Sequence, residues 1–347
     1  MAAQGKKVLA IGYGLMGRAM AHHIARSGWA EVAGVVEPQS GPRLRAQNEF
    51  SLSPEWVLKD LHKLKDTHPF DIASINTPSE RHYEQAMQCI DMGMHILVAK
   101  PITHTFLQAK KLVAHAKANR RKIVVGQQMR FTRHYKSIAK FIANGALGRV
   151  EQIALLNAKP RHEALNLANM EQPAMLEMAC HHFDALLSLL PKSSPRSIFA
   201  QGSRPSWSVY SGDCTVNAII ELSGDVSILY HGGFSAQADM YDLRVEGTRG
   251  ALRVRGEHMS APNFVYEFAE RGGVFSEIDI ESETPNQSPW LEFMEMWEHY
   301  LRKGKEPIFS GRKNLPIFAL LSAGVESIKV GRKIRIVENK KYDLAGL

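Results

Sequence analysis

Gly12-Tyr13-Gly14-Leu15-Met16-Gly17 lies between an apolar run, Val8 to Ile11, and a segment of helical period, Met16 to Ser27, and Glu37 follows 20 residues after Gly17 at the end of the next apolar run. Few folds accommodate that order. Gly12 permits a tight turn, Gly14 lets the backbone approach a pyrophosphate seated on the helix N-terminus, and Gly17 lets helix and strand pack closely. Glu37 is then placed to accept hydrogen bonds from the adenosine ribose hydroxyls. Glycines at this spacing are a weak signal alone, because packing glycines recur. With strand, helix and acid in place, a dinucleotide site is the expectation, and Tyr13, Leu15 and Met16 belong to its loop. A carboxylate at position 37 repels a 2′-phosphate, so NAD is expected over NADP. Arg43 and Arg45 are the residues that would reverse that preference.

The rest of the first third continues the pattern. Strands are expected at Glu31 to Val36, Phe70 to Ile75, His95 to Val98 and Lys122 to Val125, and helices at Pro78 to Met92 and Phe106 to Asn119. Each helix is long enough for the right-handed crossover that parallel strands require. This predicts an α/β fold with an N-terminal Rossmann domain, a doubly wound parallel sheet, over residues 1–125. Beyond about residue 149 the period changes to two: Val216, Ala218, Ile220 and Leu222 alternate with more polar neighbours, as do Tyr241, Leu243 and Val245, then Leu252 and Val254 after the turn at Gly247 to Gly250. With helices expected at Pro173 to Leu190, Trp290 to Lys303 and Leu315 to Val330, residues 126–347 read as a C-terminal α+β domain with a large, mostly antiparallel, open-faced sheet.

Composition narrows the function classes. At 347 residues the chain exceeds one comfortable core, and 44% hydrophobic with 22% charged residues excludes disorder and coiled coil. The net charge of +8 is scattered rather than gathered into a stripe, so it implies a mild bias toward anionic ligands and no nucleic-acid partner. Cys89, Cys180 and Cys214 lie far apart without a C-x-x-C pair, so a disulfide framework and a zinc ribbon are not expected and a cytoplasmic location is. No run approaches the roughly 18 apolar residues of a membrane helix, and the N-terminus shows no secretory pattern, so no membrane partner is expected.

Five stretches resemble the glucose-fructose oxidoreductase and inositol dehydrogenase family, Gfo/Idh/MocA: the glycine loop, Asn76-Thr77-Pro78 with His82, Ala99-Lys100-Pro101, Gly126-Gln127-Gln128-Met129-Arg130-Phe131, and His181-His182-Phe183-Asp184. Ser310-Gly311 and the segment through Ala323, Glu326, Ser327, Gly331 and Arg332 are similar to the family's end. The resemblance covers nearly the whole chain, apart from about Lys159 to Pro173 and parts of the late strands. It implies NAD(P)-linked redox at a sugar, cyclitol or sugar-acid hydroxyl. It also implies cofactor contacts from Asn76, Thr77, Pro78, His82, Lys100, Pro101 and Gln128, and a homodimer or homotetramer.

The resemblance carries the family's catalytic lysine onto Lys100, which would hydrogen-bond the reacting hydroxyl. A lysine beside a proline is by itself usually a solvated loop residue, but one just past a parallel strand's carboxyl end lies where ligands bind. Ala99 stands where the family usually has glutamate, which removes one carboxylate near Lys100. His181 matches the family's histidine and would take the hydroxyl proton, although most histidines are structural. Glu177, four residues earlier, would share its helical face and orient the imidazole or hold a second substrate hydroxyl; many relatives carry aspartate there. His182 is secondary, and Asp184 is expected to serve packing or hydrogen bonding. Arg130 matches a family arginine and is a substrate candidate. Lys159, Arg161 and His162 follow a predicted strand as a basic patch that would pair with an anionic sugar; a solvated loop is the plainer reading. No metal site is expected. Alternative functions are a glycosidase of this family that keeps NAD and oxidises its sugar transiently, and a non-catalytic dinucleotide-binding regulator.

Overall fold

Parallel pairing of β1 (Lys6–Ile11) with both β2 (Ala30–Val36) and β4 (Ile72–Ile75) sets the frame of the first sheet. The computed structural model describes residues 5–163 and 167–344. The chain divides into two units, one made of residues through Gln128 with Trp290–Leu315, the other of Met129–Pro289 with Pro316–Asp343.

The first unit holds six parallel strands in the order β3-β2-β1-β4-β5-β6, with β3 at Val57–Leu58, β5 at His95–Val98 and β6 at Ile123–Val125. Leu9, Ile11, Ile75, Ile96 and Val98 are fully buried, as near-continuous apolar strands covered on both faces should be. Helices α1 (Leu15–Arg26), α2 (Ser40–Phe50), α3 (Ser79–Asp91) and α4 (Phe106–Ala118) make the crossovers. Thr105 opens α4 with a reciprocal capping box to Gln108. Helix α2 and strand β3 have little sequence signal, since α2 buries only Ala46.

Residues 126–347 are expected wholly in the second domain, yet residues 290–315 pack in the first unit. Trp290 stacks on His23, Phe293 stacks on Phe309, and Val125 N–H donates to the Phe309 carbonyl, so this late segment extends the edge of the parallel sheet. An aromatic segment of this kind buries its rings wherever a complementary apolar face exists, and chain order does not reveal that destination.

The second unit is built on nine strands in the order β14-β13-β12-β11-β7-β10-β9-β8-β15. Their ranges are β7 Val150–Ala158, β8 Pro195–Ser203, β9 Thr215–Leu222, β10 Val226–Gly233, β11 Met240–Gly247, β12 Gly250–Gly256, β13 Phe264–Glu270, β14 Ser276–Ile278 and β15 Ile334–Arg335. Pairing is antiparallel except between β7 and β10. The period of two holds: Val216, Ala218, Ile220 and Leu222 are buried, while Ile219 and Leu229, paired across β9 and β10, are exposed on the other face. On the buried face lie α5 (Arg133–Ala143), a π-helix at Ala174–Ala179 and α6 (Cys180–Leu189). Helix α7 spans Pro289–Lys303 and α8 Gly311–Val330. No helix among the described residues is long and apolar enough to cross a membrane.

Candidate functional site

The carboxyl ends of the parallel strands finish in one register row. Ile11 pairs with Val36 and Ile75, Ile75 with Val98, and Val98 with Val125. The ladder continues one residue further, with the N–H groups of Gly12, Asn76, Ala99 and Gly126 donating to Val36, Ile11, Ile75 and Val98. Gly12, Glu37, Asn76 and Lys100 therefore emerge along one edge, and strand order reverses between β1 and β4, the switch point at which open α/β sheets bind ligands.

Around that point the residues fit a dinucleotide. Gly12 has φ +85°, and a Cβ there would meet the Asn76 carbonyl oxygen at 2.8 Å; a Cβ on Gly17 would meet the Gly12 oxygen at 2.1 Å. A Cβ on Gly14 would meet nothing within 4 Å, so the loop leaves room where a pyrophosphate approaches. Helix α1 starts at Leu15 with no side-chain cap and no acid in its first turn, which leaves its N–H groups to an anion. Leu15 and Met16 are exposed beside it. Glu37, only 7% exposed, accepts the Tyr13 N–H at 2.8 Å through Oε2 and the Gln39 N–H at 2.9 Å through Oε1. Each oxygen retains acceptor capacity for a ribose hydroxyl. Arg43, named as a residue that could favour a 2′-phosphate, donates to the Glu37 and Pro38 carbonyl oxygens at 2.7 and 2.9 Å.

The two loops beyond β4 and β5 are joined by one side chain. His82, buried on α3, places Nδ1 2.8 Å from the Pro101 oxygen and Nε2 2.8 Å from the Thr77 oxygen. The ring therefore bridges the two loops through both of its nitrogens. Thr77 donates its hydroxyl to Gln85, and Asn76 its amide to Ser74. Pro78 caps α3, Lys100 is half-buried, Pro101 is buried, and Gln128 is half-buried just after β6.

In the second unit the expected single α-helix from Pro173 to Leu190 is a π-helix followed by α6. Glu177 lies in the π segment and His181 is the second residue of α6, so the winding changes between them. The i→i+5 bonding of a π turn widens the helix, and such turns concentrate at functional sites. His181 and Glu177 are both half-buried. His182 is fully buried, its Nδ1 2.8 Å from the Tyr230 hydroxyl, and burial lowers its pKa to about 3. It is a neutral interior group.

Arg130 was expected at the substrate. Its guanidinium is almost wholly buried and forks onto Asp184 of α6, with Nε donating to Oδ2 at 2.9 Å and Nη2 to Oδ1. Burial pushes the Asp184 carboxyl up and the Arg130 charge opposes it. Only Nη1, which has no hydrogen-bond partner among the described residues, is left for a ligand.

Lys159 and Arg161 extend β7 beside β10, their N–H groups donating to the Gly233 and Phe234 oxygens. Arg161 is exposed, with its guanidinium carbon 4.9 Å from the Phe234 ring centre, and the His162 ring lies beside exposed Trp207. Phe234 shares a buried cluster with Tyr210, Cys214 and Met178, the residue after Glu177, so the basic patch and the π-helix rest on one apolar base. Asn157 was missed by sequence reasoning. It is buried on β7, its amide 3.6 Å from Met178 Sδ and its oxygen accepting the Met259 N–H. Its signal was a polar residue on the inward parity set by Ile153 and Leu155. Among the described residues no group of three or more His, Cys, Asp or Glu could hold a metal ion.

A six-stranded parallel sheet with this loop, followed by a nine-stranded mixed sheet, defines an oxidoreductase with an NAD-binding domain. Residues 6–127 match the model described as the oxidoreductase family, NAD-binding Rossmann fold, and residues 135–253 match the GFO/IDH/MocA C-terminal domain. The chain belongs to the Gfo/Idh/MocA family. It is 20% identical over 302 residues to the myo-inositol 2-dehydrogenase of Thermotoga maritima, covering 85% of this chain and 88% of that one. An oxidoreductase from Agrobacterium radiobacter, solved with NAD+, L-tartaric acid and magnesium, superposes with a TM-score of 0.84 at 17% identity, covering 96% of this chain and 98% of that one. An inositol dehydrogenase homologue from Azotobacter vinelandii, solved with NADH and myo-inositol, gives 0.77 at 15% identity over 96% and 98%. At these identities the structural likeness is one of fold.

Proposed function

We propose that the chain is an NAD-dependent dehydrogenase that transfers a hydride between the cofactor and a secondary hydroxyl of a sugar, cyclitol or sugar acid. The observation that carries this reading is the register row that sets Lys100 beside the strand ends bearing Gly12, Glu37 and Asn76. Bound there, NAD supplies the hydride acceptor. Lys100 hydrogen-bonds the reacting hydroxyl, His181 takes its proton, and Glu177 orients the imidazole or holds a second hydroxyl. Names of relatives that act on inositol support the substrate class.

A narrower reading is favoured by the exposed Arg161 guanidinium and the adjacent Lys159: the substrate carries an anionic group; one structural relative was solved with L-tartaric acid, which is anionic. The exposed face of the nine-stranded sheet supports a further reading, a homodimer or homotetramer that covers it.

The test is reduced-nicotinamide formation across a panel of neutral and acidic sugars and cyclitols. Lys100→Ala and His181→Ala should each lower kcat by about 10² to 10⁴. Arg161→Ala should raise KM for acidic members alone. Wild-type rates in Lys100→Ala, or equal KM losses on neutral and acidic sugars in Arg161→Ala, would contradict the respective assignments.

A further inference from the structure

Tyr13 is the middle residue of Gly12-x-Gly14, and it makes two hydrogen bonds to two acids from opposite ends of itself. Its backbone N–H donates to Glu37 Oε2 at 2.8 Å, and its hydroxyl donates to Glu49 Oε2 at 2.6 Å. The ring is 2% exposed and stands edge-on to Phe50, with centroids 6.4 Å apart. Burial first and the Glu49 carboxylate second push the hydroxyl pKa up, so it stays a donor.

Glu49 is in turn fixed by α1. Arg18 Nε donates to its Oε1 and Oε2 at 2.9 and 3.1 Å, Arg18 Nη2 lies 2.8 Å from Oε1, and His22 Nε2 is 3.2 Å from Oε2. Hydrogen bonding to the Arg18 guanidinium holds the Glu49 carboxyl down at about 2, so it is anionic throughout the neutral range. Helix α2 begins at Ser40, just after Gln39, whose N–H holds the other oxygen of Glu37, and Glu49 lies in its last turn. One tyrosine therefore ties both ends of α2 to the glycine loop.

We infer that Glu49 is a positioning residue of the nucleotide site, acting through Tyr13 to hold the Glu37 carboxylate and the glycine loop in the arrangement that receives the ribose and pyrophosphate. The inference rests on the reading that NAD binds this loop. It accounts for a charged cluster between α1 and α2 that no step at the substrate uses. Glu49 itself touches neither ribose acceptor. Its link to Glu37 runs through the tyrosine, and Glu37 is the group that discriminates a ribose hydroxyl from a 2′-phosphate.

The experiment is calorimetric titration of NAD and of NADP into the full chain, comparing wild type with Tyr13→Phe, Glu49→Ala, Glu49→Gln and, as a control for general loosening of the same unit, Lys65→Ala, which breaks an exposed pair with Glu55. Tyr13→Phe and Glu49→Ala are expected to raise the Kd for NAD about tenfold and to shrink the NAD-to-NADP preference. Glu49→Gln keeps an acceptor for the tyrosine hydroxyl and should recover part of the affinity; Lys65→Ala should leave both constants unchanged. Wild-type NAD affinity in Tyr13→Phe and Glu49→Ala would overturn the positioning role while leaving the nucleotide site standing, as would equal losses for NAD and NADP. Failure of the wild type to bind either nucleotide would overturn the site and the positioning role together.

Discussion

At the scale of single residues, buried histidines divide into two kinds. His82 faces two carbonyl oxygens and ties the loops at Thr77 and Pro101 together. His134 and His182 instead face tyrosine hydroxyls: His134 lies 2.8 Å from Tyr241 and 3.1 Å from Tyr266, stacked on Phe264 at 3.8 Å, and His182 meets Tyr230. Burial disfavours the charged form of both rings and lowers both pKa values to about 3. When the chain unfolds, both rings regain the ordinary value of 6.5 and bind protons below it. Stability from this source is complete above that pH and falls as pH drops toward 3, by up to about 1.4 kcal/mol per pH unit for each ring. Thermal melting should therefore occur at lower temperature at about pH 5 than at about pH 7, and an unchanged midpoint would mean that these rings are protonated in the fold.

At the scale of elements, the outward face of the nine-stranded sheet is the feature that asks for a partner. Leu156, Ile219, Leu229, Met240 and Val265 are exposed there among Arg244, Arg253, Asp242 and Glu267. Alternation puts all of them on one side, because paired residues share a face: Ile219 lies opposite Leu229, Leu229 opposite Ala154, and Asp242 opposite Leu156. Arg253 bridges to Asp242 at 2.6 Å, giving the face mixed charge as well as apolar area. A face of mixed apolar and charged character suits a two-fold pair, which needs about 800 Å² from each copy. Sedimentation of the wild type should show an oligomer, and Leu229→Lys should dissociate it. A wild type that sediments as a single chain would remove the proposal.

At the scale of the whole molecule, much of the candidate nucleotide site is legible because each of its parts is local in sequence: a loop, its flanking strand and helix, and an acid at fixed distance. The parallel strands at 95–98 and 123–125 were similarly plain, since buried strands are continuous apolar runs. What escaped depended on distant partners. Helix α2 hides its amphipathic character because it buries one alanine, yet its Glu49 reaches Tyr13 36 positions earlier. The return of residues 290–315 to the first unit depends on His23 and Val125, and the burial of Arg130 on Asp184, 54 positions away. The π-helix leaves no periodic signature over six residues.

The central claim is that oxidation is the net reaction. Reduced nicotinamide should accumulate in step with oxidised sugar when purified protein is given NAD and a turned-over member of the panel. A substrate consumed with no accumulation of reduced nicotinamide, the nucleotide remaining with the protein, would contradict the dehydrogenase and identify a closed redox cycle instead.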